Sequence, residues 1–139
     1  MNVLVAYESR TGTTEVAASA IADAARSKGN EVTLKPLADV TAEDVSAAAL
    51  VFIGTWVEGF ILFGVGPARA ALKRIGRLSL SGKEVAAFCT FAVSPAGSLA
   101  KLRGALESRG AKVVAQRALN RKNARRDAVS FAVEVLPMP

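Results

Sequence analysis

The chain has 139 residues, 51% of them hydrophobic and 22% charged, with 18 Lys plus Arg against 12 Asp plus Glu and no histidine. That composition suits one globular domain, residues 1–139, with a real core; the missing histidine removes the usual neutral-pH base, the Ser-His and Cys-His nucleophile pairs, and the commonest zinc or iron ligand. The lone Cys89 has no partner for an internal disulfide, no window nears the roughly 18 apolar residues of a membrane span, and no basic leader precedes the first strand, so a cytoplasmic location is expected.

Taken in order, Asn2 to Tyr7 is a short apolar, β-branched run that reads as a strand. Thr14 to Lys28 places Val16, Ala17, Ala20, Ile21 and Ala24 at helical spacing and stops at Gly29. Glu31 to Pro36 alternates Val32 and Leu34 with polar residues, a strand with one wet face, and Thr41 caps a short acidic turn through Val45. Ala48 to Ile53 is apolar without alternation, as a central parallel strand buried on both faces requires, and a helix is expected from Pro67 to about Gly76. Val85 to Thr90 reads as a fourth strand. Ser94-Pro95 then opens a helix carrying Leu99, Leu102, Ala105 and Leu106 as far as Gly110. Lys112 to Leu119 and Ala124 to Val135 supply a fifth strand and helix. Strict βα alternation implies a five-stranded parallel sheet with right-handed crossovers and helices on both sides, an α/β three-layer sandwich.

In such a sheet the ligand crevice lies beyond the carboxyl ends of the strands, where the strand order reverses. Three loops are expected to meet there. The first, Ser9-Arg10-Thr11-Gly12-Thr13-Thr14, puts four hydroxyls and one glycine where a helix begins, more than a cap needs. Hydroxyls and outward N–H groups can wrap an anion, Gly12 permits the required backbone angles, and the helix dipole adds about 0.3–1 kcal/mol for a negative guest. The second loop, Thr55-Trp56-Val57-Glu58-Gly59, carries the only tryptophan, a face on which a planar ligand can stack. An apolar run from Phe60 to Phe63 continues it. The third follows the fourth strand, with Thr90, Phe91 and Ala92.

A strand ending in Tyr7, this hydroxyl-rich loop and Thr55-Trp56 after the third strand together resemble the flavodoxin family over nearly the whole chain. The resemblance implies strand order 2-1-3-4-5 and an FMN cofactor. It implies that Ser9, Thr11, Gly12 and Thr14 hold the FMN phosphate, Ser9 standing where the family pattern T-x-T-G-x-T has Thr, with Thr13 at the free position and Arg10 beside it. Trp56 would stack on the flavin ring and Thr90-Phe91-Ala92 would wrap its other side. Two departures stand out. Val57 occupies the place of a glycine whose peptide flips in the family, and a β-branch disfavours positive φ. The loop after the fourth strand lacks the usual acid and tyrosine, which implies a less negative reduction potential than an acidic flavodoxin has.

Charge is lopsided along the chain. Between Lys101 and Arg126 stand nine basic residues and one acid, Glu107, whereas residues 1–60 carry four basic and eight acidic side chains. Arg117, Arg121, Lys122, Arg125 and Arg126 have no interleaved aromatics, so a docking face for an acidic redox partner is expected and nucleic acid is not. The functional expectation is an electron carrier that passes electrons from FMN to a protein. The alternatives are an FMN-dependent oxidoreductase of a quinone or porphyrinogen, and a binding module that has lost the cofactor.

Overall fold

The structure, a computed structural model, describes residues 1–58 and 65–137. Five strands, β1 (Asn2–Tyr7), β2 (Glu31–Pro36), β3 (Leu50–Glu58), β5 (Glu84–Phe91) and β6 (Lys112–Asn120), form a parallel sheet in the order β2-β1-β3-β5-β6. A two-residue strand, β4 (Gly66–Pro67), pairs antiparallel with the end of β3. With the short strand set aside, the order is the expected 2-1-3-4-5.

Side chains of the central strands alternate between two cores, as the period of two demands. Val3, Val5, Phe52, Ala86 and Phe88 face one side, where α1 (Thr13–Ser27) and α5 (Ala124–Val135) cover them with Ala17, Ile21, Ala128 and Phe131. Leu4, Ala6, Val51, Ile53, Val85 and Ala87 face the other, beneath Ala71 and Ile75 of α3 (Arg69–Ile75) and Leu102 and Leu106 of α4 (Ser98–Glu107). Small alanines on α1 let it lie close to both the sheet and α5. The Phe52 and Phe131 rings meet edge to face at 5.9 Å, a preferred aromatic geometry. Gly54 is needed for packing: a Cβ there would lie 2.1 Å from the Phe88 ring.

Three of the boundaries that differ from the expectation have a visible cause. Strand β3 runs on to Glu58 rather than ending at Ile53, because Gly54 to Trp56 keep pairing with Phe88 to Thr90 of β5 and Val57 and Glu58 find antiparallel partners in Pro67 and Gly66. Pro67 is therefore strand, and α3 begins at Arg69, where the Glu58 carboxylate accepts the Arg69 N–H at 2.7 Å. Helix α4 starts at Ser98, not at Ser94-Pro95. The Ser94 hydroxyl accepts the Ala96 N–H at 3.1 Å, and Ala96 has φ 44, so a local side-chain turn outcompetes the helix there. The short helix α2 (Ala42–Ala47) has the expected Thr41 cap, completed by Asp44 as a capping box. Among the described residues no helix is long and apolar enough to cross a membrane.

Candidate functional site

Parallel register brings the carboxyl ends of the strands to one edge: Tyr7 lies beside Gly54, Trp56 beside Thr90, and Phe91 beside Asn120. The segments leaving that edge enclose a cavity of about 350 Å³, lined by Arg10, Thr11, Thr13, Trp56, Val57, Glu58, Thr90, Phe91, Ala92 and Arg121. The sequence singles out nine of these ten as site residues. Arg121, in the 3₁₀ turn after β6 (Arg121–Asn123), stands out there only as part of a basic stretch; its place follows from β6 lying next to β5.

The first loop turns backbone N–H groups outward at the start of α1. Gly12 has φ 97 and ψ −14 and caps α1 without a side-chain bond of its own, while a Cβ there would meet nothing within 4 Å. Backbone angle, not space, requires glycine at this position. The Ser9 hydroxyl accepts the N–H groups of Gly12 at 3.2 Å and Glu15 at 3.3 Å. Among the described residues no acceptor meets the backbone N–H groups of Thr11, Thr13 and Thr14. Three open donors at the positive end of a 15-residue helix await a negative acceptor, and a phosphate suits them. One hydroxyl of the loop occupies part of the nest, and the rest is free.

Packing and pairing fix how the other predicted residues are held. Thr14 turns inward, 1% exposed, and its hydroxyl meets that of Thr90 at 2.8 Å, so the start of α1 is tied to the end of β5. Thr55 is buried, its hydroxyl donating to the Trp56 carbonyl at 3.2 Å. Trp56 is half-buried: it lines the cavity and also packs on the core under α3 and α4. Its carbonyl accepts the Ala68 N–H at 3.1 Å. Val57, opposite Pro67, is held extended. Gly59 and the run Phe60 to Phe63 lie outside the described residues.

Charge around the cavity is mixed, with Arg10 and Arg121 against Glu58. Glu8 is neutralised by Arg74 and its N–H donates to Gly54. Burial, then Glu15, raises the Tyr7 phenol above its ordinary value. Burial pushes the Cys89 thiol up to about 12, so it is a thiol at neutral pH and a small core residue. Among the described residues no cluster of His, Cys, Asp or Glu could hold a metal.

The basic stretch divides into two parts. Arg117 pairs with Glu134 and lies 5.5 Å over the Phe131 ring, Arg103 pairs with Glu107, and Arg109 and Lys101 donate to the carbonyls of Leu78 and Val65. Glu134 holds the Arg117 guanidinium above its usual value, and Arg117 holds the Glu134 carboxyl below its own. Arg121, Lys122 and Arg125 form no ion pair among the described residues.

A parallel sheet in this order, with helices on both faces and open N–H groups and an indole at its switch point, defines a doubly wound α/β protein. The comparisons with known proteins carry this further. The family model described as Flavodoxin matches residues 5–130, and the chain belongs to the flavodoxin family. Membership implies a flavin cofactor. Among solved structures it is similar to the two-electron reduced flavodoxin of Megasphaera elsdenii, with 19% identity, TM-score 0.76, and 96% of this chain and 99% of that one covered. It is similar to a cysteine-to-serine mutant of the flavodoxin from Pseudomonas aeruginosa, with 16% identity, TM-score 0.74, and 96% and 95% covered. Over 34% of its length, the rubredoxin oxygen:oxidoreductase of Desulfovibrio gigas matches 95% of this chain, with 21% identity and TM-score 0.72. At these identities the likeness is one of fold. A search of curated proteins finds no match.

Proposed function

We propose that this protein binds FMN in the cavity between Arg10 and Arg121 and carries electrons to a partner protein. The observation that carries the reading is the set of open N–H groups at Thr11, Thr13 and Thr14, 4–7 residues beyond β1, in the loop that shares a cavity with Trp56. The phosphate belongs at those N–H groups, with the Ser9 hydroxyl yielding its acceptor role to a phosphate oxygen. The ring belongs between Trp56 and the Thr90–Ala92 segment. When bound, the flavin supplies the electron-accepting and electron-donating chemistry. The chain's residues bind and orient it, and none is required as acid or base.

Two cations and one carboxylate around the cavity favour a negatively charged reduced flavin ring over the neutral oxidised ring, which supports a less negative reduction potential than an acidic relative has. Arg10, on the exposed rim, suits a partner with an acidic docking face. The oxidoreductase alternative draws on the apolar run 60–63, outside the described residues, and the cofactor-free alternative leaves the open N–H groups without a purpose.

Titrating the flavin-free protein with FMN tests the reading. One equivalent should quench Trp56 emission, and Trp56→Ala should weaken binding on the order of tenfold, the loss of one stacked aromatic contact. A purified protein that is colourless and whose tryptophan ignores added FMN refutes it.

A further inference from the structure

A groove between α1 and α5 adjoins the cavity proposed for the flavin and is larger, about 790 Å³ against about 350 Å³. Val16 of α1 and Val129 of α5 line it, with Arg121, Lys122, Arg125 and Arg126 around the start of α5. Thr13 and Arg121 line both spaces. Among the described residues six large apolar side chains stand exposed, and three of them belong to these two helices: Val16 at 48%, Val129 at 39% and Val133 at 51%. Arg125, Val129 and Val133 follow one another at steps of four along one side of α5, so the bare apolar strip begins at the cations.

These charges are placed against the stability of the chain on its own. Among the described residues no carboxylate lines the groove. Arg121, Lys122 and Arg125 form no ion pair there, and Arg126 has only the adjacent Asp127 in a solvent-exposed pair, which is worth little. All four crowd the positive end of α5, where like charges repel and the helix dipole opposes cations. By contrast Arg117, Arg103, Arg109 and Lys101, in the same basic stretch, each hold a carboxylate or a carbonyl. A bare apolar strip beside cations that nothing in the fold employs is the complement of a surface with carboxylates around an apolar ridge.

We propose that the electron-transfer partner docks in this groove, an acidic protein that lays an apolar ridge flanked by carboxylates between α1 and α5. The inference rests on the electron-carrier reading and gives it a docking surface. Arg121, common to both spaces, brings that partner to the edge of the flavin cavity, as passing electrons requires. Shape and composition favour a protein over other anions. The valines line a recess between two helices, which receives a ridge, whereas an anionic membrane calls for a projecting apolar face. Among the described residues no aromatic side chain lines the groove, so it offers nucleic-acid bases nothing to stack on.

Titrating the FMN-loaded protein into a fluorescein-labelled helical peptide, its leucine ridge flanked by glutamates, tests the surface by anisotropy. The peptide should bind at low salt and weaken several-fold near physiological salt, as screened charge pairs do. Arg125→Glu with Arg126→Glu should weaken it about tenfold or more and melt no lower than the parent, because glutamate suits the positive end of a helix. Val129→Asp should weaken it by a similar factor, and so should serines in place of the peptide's leucines at unchanged charge. Both protein variants should keep FMN affinity within about twofold, since the altered side chains stand outside the flavin cavity. No binding of the peptide, equal binding of the serine peptide, or binding that survives both variants overturns the proposal. Displacement of the peptide by phosphatidylglycerol vesicles or by a DNA duplex overturns it in favour of that other anion. A protein that takes up no FMN overturns the carrier reading and this surface with it; one that takes up FMN and ignores the peptide overturns the docking surface alone.

Discussion

Replacing Gly12 by alanine isolates backbone strain at the nest from every steric effect. The new methyl meets nothing within 4 Å, so the cost comes from φ 97 alone. Holding an L-residue in that region costs about 1–3 kcal/mol, and the stiffer unfolded chain returns about 0.4–1 kcal/mol, for a net loss of about 1–2 kcal/mol. Gly104 is the control. It too has open space around its missing Cβ, but it lies inside α4, where alanine gains about 0.5–1 kcal/mol. The same chemical change should therefore have opposite signs at the two positions. For a chain of this size, roughly 3–5 °C per kcal/mol places the two melting temperatures about 5–15 °C apart, with the parent between them. Thermal melts of the flavin-free proteins read this directly, and FMN titration should show weaker binding for Gly12→Ala alone, because Thr11 and Thr13 are re-aimed. A Gly12→Ala protein melting at or above the parent, or shifts of the same sign for both variants, would refute the reasoning.

Gly54→Ala should lower stability by about 1–3 kcal/mol in urea titration, because the added methyl runs into the Phe88 ring; an unchanged midpoint would mean that the ring moves aside freely. Thr14→Val should cost about 1–3 kcal/mol by stranding the buried Thr90 hydroxyl, whereas Thr14→Val with Thr90→Val should recover most of it; additive losses on a thermodynamic cycle would contradict the bond. Lys35, and the N–H of Thr41, hold the Asp44 carboxyl below its ordinary value. A depressed folded-state value contributes stability that is full above the unfolded-state value of about 3.9 and is lost as pH falls through the lower one. Urea midpoints of Asp44→Asn should therefore fall less steeply below about pH 4 than those of the parent, and equal slopes would remove Asp44 from the account.

Much of the architecture is legible because parallel βα repeats write themselves locally. The run Ala48 to Ile53 has no alternation since both faces of β3 are buried, and the boundaries of α5 match its apolar spacing. Sequence and structure part where a partner distant in the chain, or a single side-chain bond, decides the backbone. Strand β3 continues through Trp56 against β5 and on to Glu58 against Pro67 and Gly66, and nothing in residues 54–58 announces that. The start of α4 is displaced by the Ser94 hydroxyl and the unusual angle of Ala96, a three-residue contest that apolar periodicity does not register.

For the candidate site, residue types alone point to the hydroxyl-rich loop, the glycine and the indole, because an anion nest needs small residues and N–H donors at a helix start whatever the rest of the chain does. Which of those groups line the cavity is settled by packing. Ser9 and Thr14 are alike as hydroxyl donors on paper, yet one caps the loop and the other is locked to Thr90, 76 residues away. Arg121 enters the cavity only because the sheet sets β6 against β5, and the bare valines of α1 and α5 form one groove only because those helices lie side by side. Composition and spacing act through neighbours in the chain; cavities are made by neighbours in space, and only the folded sheet brings those together.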